Sequence, residues 1–152
     1  MTASPHRTLI VANRTAQTPV LMGEVERRAA ERPTEFTLLI PNVTSRKAAD
    51  WTLGEALVSL RKAARGPLGL LEARVEGRLG GRDSYASIEE AVAEGSFDEI
   101  IISTLPKRRS EWLRRELPAR VERLGLPVTV VADPGDPRSF FERFVTTVPP
   151  GG

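Results

Sequence analysis

The chain of 152 residues has no cysteine, one histidine and few aromatic side chains, which make up 5% of the total. Without cysteine there are no disulfides, no thiolate chemistry and no Cys-containing metal sites. The one histidine, His6, stands in the lead-in before the first apolar segment. It reads there as a tail residue rather than as a general base or metal ligand. No apolar run approaches the roughly 20 residues needed to cross a bilayer. Met1 to Arg7 lacks the apolar h-region of a secretory signal, so the expected location is the cytoplasm. Neither charge sign is in large excess, with 22 Lys and Arg against 20 Asp and Glu and a net charge of +2. That balance is a poor electrostatic footprint for duplex nucleic acid, whose binding needs several phosphates neutralised.

What is present is a regular alternation of short apolar runs with helical patterns. Thr8 to Ala12 is a continuous apolar stretch closed by Asn13-Arg14-Thr15, as expected of a strand buried on both faces. Thr18-Pro19 is a helix start, and Val20, Leu21, Val25 and Ala29 follow at helical spacing up to Arg32-Pro33. Phe36 to Ile40 reads as a second buried strand. Leu53, Leu57, Leu60 and Ala64 then lie on one face of a second helix ending at Gly66-Pro67. Ala73, Val75, Gly77 and Leu79 alternate with Arg74, Glu76 and Arg78, which marks a half-exposed third strand at a sheet edge.

Beyond Gly80-Gly81, which reads as a plain turn, Ser87 and Glu90 fit a capping box for a third helix that runs to Gly95. Glu99 to Ile102 is a fourth, central strand. A fourth helix starts near Ser110 with Leu113, Leu117, Val121 and Leu124 on one face, and Pro118 should kink it or mark a restart. Pro127 to Ala132 is a fifth strand. This order predicts one α/β domain over residues 1–133, with a parallel sheet between two helix layers. Residues 134–152 form a tail in which Phe140, Phe141, Phe144 and Val145 suggest a short helix before a frayed end.

The succession of elements, with Asp98-Glu99 leading into Ile100-Ile101-Ile102-Ser103-Thr104 and a closing Leu126-Pro127-Val128-Thr129-Val130-Val131, resembles the universal stress proteins. The resemblance covers roughly Arg7 to Asp133. The chain also looks like a small stand-alone branch lacking the glycine-rich ATP loop. The resemblance implies a three-layer α/β/α, Rossmann-like fold of five parallel strands ordered 3-2-1-4-5, in agreement with an edge position for the third strand. It also implies a stress-response role and a homodimer formed edge to edge through strand five at Val128, Val130 and Val131. Two departures bear on ATP or AMP as ligands. Family members that hold ATP carry Asp at the end of strand one, where this chain has Asn13. They also carry a G-x2-G-x9-G-[ST] loop after strand four. Here that stretch is Leu105-Pro106-Lys107-Arg108-Arg109-Ser110-Glu111-Trp112, with no glycine between Gly95 and Gly125. Glycines let backbone amides close around phosphate, so phosphate would need other donors here.

In a sheet of this order the ligand crevice lies at the carboxyl ends of strands one and four. The loops expected there are basic, with Arg14 after strand one, Arg46 and Lys47 after strand two, and Lys107, Arg108 and Arg109 after strand four. Arg forks match phosphate oxygens and can stand in for glycine amides. The candidate anion or nucleotide site is Asn13, Arg14, Ser103, Thr104, Lys107, Arg108, Arg109 and Ser110. The competing reading makes these solvated loop charges, with Thr15, Thr18 and Ser110 as helix caps. No nucleophile with a base, metal cluster or carboxylate pair is evident, which points away from an enzyme. A weak nucleotide hydrolase and a ligand-free dimeric interaction protein stand as alternatives. Trp51, Tyr85 and Trp112 are scattered along the chain and read as packing residues.

Overall fold

The computed structural model describes residues 4–13, 15–41, 46–66, 68–69, 73–105 and 111–132. Its elements are β1 (His6–Val11), α1 (Pro19–Glu31), β2 (Thr34–Ile40), α2 (Arg46–Ala64), β3 (Val75–Leu79), α3 (Ser84–Glu94), β4 (Glu99–Thr104), α4 (Glu111–Arg114), α5 (Leu117–Glu122) and β5 (Val128–Ala132). The sheet runs β3-β2-β1-β4-β5, and every pairing is parallel. The expected order and the edge position of the third strand are therefore both observed.

Strand periodicity divides the core in two. Leu9, Ile10, Val11 and Ala12 are all 0% exposed, and alternate residues face opposite sides. Ile10 and Ala12 join Phe36, Leu38, Ile40 and Ile101 beneath α1 and α2. Leu9 and Val11 join Leu39, Ile100 and Ile102 beneath α3 and α5. Only a strand flanked by parallel partners and covered on both faces can be apolar at every position, so the unbroken run in β1 itself demands this placement.

Two local expectations need correction, and a third resolves between its two forms. The N-cap of α3 is Asp83, whose side chain accepts from Ala86 N at 3.0 Å, and not Ser87. A carboxylate gains from the helix dipole at that end, so Asp83 outcompetes the hydroxyl. Ser87 lies instead within the helix, 5% exposed, and Glu90 is exposed. His6 is no tail residue but the first residue of β1. At Pro118 the fourth helix restarts rather than kinks, and so forms two helices. Pro118 lacks the N–H that would bond the Arg114 carbonyl. The chain breaks at Glu116 (φ 55, ψ 35), and Leu117 and Val121 are then buried by α5. The Phe140-Phe141-Phe144 tail lies outside the described residues.

At the amino-terminal edge of the sheet the strands are locked by charge. Glu99 Oε2 accepts from Thr8 Oγ1 at 2.9 Å and from Arg28 Nε at 3.0 Å, and His6 Nε2 lies 3.0 Å from the same oxygen. Arg28 also pairs with Glu24 and donates through one NH2 group to Thr129 Oγ1 at 3.3 Å, so α1, β1, β4 and β5 meet at one point. Burial alone would raise the Glu99 pKa. Hydrogen bonds from Arg28 and Thr8, the Arg28 charge and the His6 contact outweigh it and hold the carboxyl below the usual carboxylate range. A depressed folded-state pKa adds stability above the unfolded value of about 4.3, and that stability is lost as pH falls through the folded one. Glu99→Gln should therefore lower the unfolding free energy by about 1 to 3 kcal/mol at pH 7 in urea titrations. The gap to the parent chain should shrink below about pH 4. A gap independent of pH would show that the charge is not its source.

Candidate functional site

β1 and β4 are neighbours, but the helices that follow them leave toward opposite faces. α1 packs in the core shared with α2, and α5 in the core shared with α3. The crossovers diverge at the carboxyl ends of these two strands and open a crevice between them.

The described candidate residues gather there. Ser103 and Thr104, 1% and 4% exposed, end β4. Ser103 Oγ lies 2.8 Å from Thr15 Oγ1 and donates to the Thr15 carbonyl at 3.4 Å, a buried bridge from the end of β4 to the loop after β1. Asn13 Nδ2 donates to the Pro41 carbonyl at 3.2 Å, which ties the same loop to the end of β2. Thr18 acts as the expected cap of α1, accepting from Leu21 N at 3.4 Å. Thr15 does not. Its role as the partner of Ser103 was hidden in the sequence, because only the β1–β4 register brings two distant hydroxyls together. Arg46 and Lys47 open α2 rather than occupying a loop. Arg14, Lys107, Arg108, Arg109 and Ser110 lie outside the described residues.

The turn after β3 completes the rim. Gly80 N donates to the Ile40 carbonyl at 2.8 Å, and Gly81 N donates to Ser87 Oγ at 3.0 Å. Ser87 Oγ in turn donates to the Asp83 carbonyl at 2.9 Å. A Cβ on Gly80 would lie 2.7 Å from Ser87 Oγ, 2.8 Å from Ser87 Cβ and 3.1 Å from Pro41 Cα. Gly80 is thus needed where α3 presses on the strand ends. The side-chain and backbone bonds of Asn13, Pro41, Gly80 and Ser87 form a continuous belt along the carboxyl rim. Among the described residues no group of three His, Asp or Glu could hold a metal ion, and no helix is long and apolar enough to cross a membrane.

Sheet order, helix layers and the crevice define a doubly wound α/β protein with its switch point between β1 and β4. Among solved structures the chain is similar to a universal stress protein from Archaeoglobus fulgidus, with a TM-score of 0.54 and 18% identity over 84% of this chain and 94% of that one. A universal stress protein in complex with cAMP matches with a TM-score of 0.48 and 17% identity over 84% and 98% of the two chains. No protein-family model and no curated protein matches the sequence. The fold is universal stress protein-like.

The belt yields a paired expectation. Gly80→Ala should cost about 1 to 3 kcal/mol, because the added methyl meets backbone and a bonded hydroxyl. Gly81→Ala, which meets nothing within 4 Å, should stay within about 0.5 kcal/mol. Urea unfolding of both variants checks this, and equal costs would remove the packing argument.

Proposed function

We propose that this chain is a binding protein without chemistry of its own, which takes a nucleotide or a comparable small phosphorylated anion at the carboxyl ends of β1 and β4. The observation that carries the reading is the buried Thr15–Ser103 bridge, which fastens the loop after β1 to the end of β4 at the switch point. Arg14 is flanked by Asn13 and Thr15, both on that rim. Lys107, Arg108 and Arg109 follow closely on Leu105, the first residue beyond β4. Guanidinium forks would supply the charge-assisted hydrogen bonds that glycine amides give elsewhere. The polar groups of the rim are spent on backbone geometry, which suits a fixed receptor better than a reacting centre.

Thermal melts with AMP, ATP, cyclic AMP and inorganic phosphate test this. A ligand at about 100 times its dissociation constant stabilises by about 2.7 kcal/mol, on the order of 5 to 10 °C for a chain of this size. At least one nucleotide should produce such a shift, and a combined Lys107→Ala, Arg108→Ala, Arg109→Ala chain should lose most of it. Melts that none of the ligands move at millimolar concentration refute the proposal.

A second reading rests on β5. Among the described residues it pairs with β4 alone, and Val130 is 37% exposed on it. An apolar edge of this kind templates strand addition, so two copies would pair through Val128, Val130 and Val131. Sedimentation velocity should then give twice the 16.7 kDa chain mass, falling to the chain mass in Val130→Lys. A parent chain that sediments as a monomer at all concentrations rules this out.

A further inference from the structure

The break between α4 and α5 builds a second site on the α3 side of the sheet. A groove of about 470 Å3 opens there, within the roughly 300 to 1,000 Å3 of small-molecule pockets. Tyr85 and Arg82 line it from the start of α3, and Trp112, Arg115, Leu117 and Arg120 from α4 and α5. In one unbroken helix at 3.6 residues per turn those last four would spread over about 200° of circumference, more than one wall can present. The left-handed residue Glu116 between the two short helices is what gathers them. A non-glycine residue in that region is uncommon, and here its effect is to shape a cavity.

The groove is cationic and carries rings. Among the described residues its lining holds three guanidinium groups and one carboxylate, Asp83, which is occupied as the α3 cap by Ala86 N at 3.0 Å. The Arg120 guanidinium carbon sits 4.5 Å from the centroid of the Tyr85 ring. Stacking on a ring fixes the group while leaving its charge intact. Neither Arg82 nor Arg120 forms an ion pair with a carboxylate among the described residues. Trp112 packs partly against the core beneath α3 and α5 and also lines the groove. Two aromatic residues that look scattered in sequence are thus brought to one cavity.

We propose that this groove binds a 5′-nucleotide, with the phosphate on Arg82 and Arg120 and the base against Trp112. Forked donors suit phosphate oxygens, and an indole face takes a planar base. The inference stands apart from the described part of the β1–β4 rim, since none of Asn13, Ser103 and Thr104 lines the groove.

The chain has two tryptophans, and Trp51 belongs to α2, which packs on the opposite face of the sheet. Trp51→Phe therefore leaves Trp112 as a sole fluorescent reporter. Titration of this chain with AMP, GMP, CMP and UMP should quench Trp112 saturably for at least one nucleotide, while ribose 5-phosphate and inorganic phosphate leave it unchanged. Adding Arg82→Ala, an exposed change at a loop, should raise the dissociation constant about tenfold. The combined Lys107, Arg108 and Arg109 alanine chain should bind as before. Amide shifts of residues 82–86 in the unsubstituted chain give the same answer without any substitution. Absence of both quenching and amide shifts for all four nucleotides overturns the proposal. So does a response abolished by the basic-loop substitutions and untouched by Arg82→Ala, which would place the ligand at the rim instead.

Discussion

The fold depends on burying β1 from Thr8 onward. Its last residues admit no solvent on either face, so the strand needs a hydrogen-bonded neighbour on both edges and a helix layer above and below. Satisfying that with right-handed crossovers sends the chain outward to β2 and β3 on one side, then back across to β4 and β5 on the other. The reversal beside β1 is what creates the crevice at the carboxyl rim. A packing requirement in a few apolar residues thereby sets where a ligand would approach.

The two ends of the sheet are held by different chemistry. At the amino end a hydroxyl, a guanidinium and an imidazole close over one oxygen of Glu99 and join three strands and a helix. At the carboxyl end the ties are neutral, namely a hydroxyl pair, an amide and backbone carbonyls. Charge is neutralised within the protein at one edge, whereas the segments leaving the other edge are rich in arginine and lysine by sequence. That asymmetry is the physical basis for looking for an anion at the carboxyl rim.

Much of this was readable in the chain. Continuous apolar runs identified β1, β2 and β4 as central, and alternation put β3 at an edge, because burial on one or two faces writes itself directly into the residue pattern. What escaped were choices decided by tertiary neighbours. Ser87-Ile88-Glu89-Glu90 matched a capping motif, but burying Ile88 and Ala91 required the helix to begin earlier, at an aspartate. His6 preceded any apolar signal, and only the acid facing it across β4 explains its place in the strand. Of the candidate residues, Asn13, Ser103 and Thr104 lie on the same rim. Pro118 signals the restart after Glu116, but nothing in the sequence pattern tells that Tyr85 and Trp112 would line one groove beside it.

The third strand illustrates a different kind of dependence. Gly77 has no side chain to bury, and the space is filled from α2, with Leu53 and Leu57 methyl carbons 2.6 and 3.1 Å from where a Cβ would stand. The strand is therefore gripped by its covering helix as much as by β2, and Arg61 of that helix also donates to the Val75 carbonyl at 3.1 Å. Loosening this margin of the sheet requires α2 to lift away with it. In hydrogen-exchange terms the amides of the helix and of the edge strand are then expected to open together.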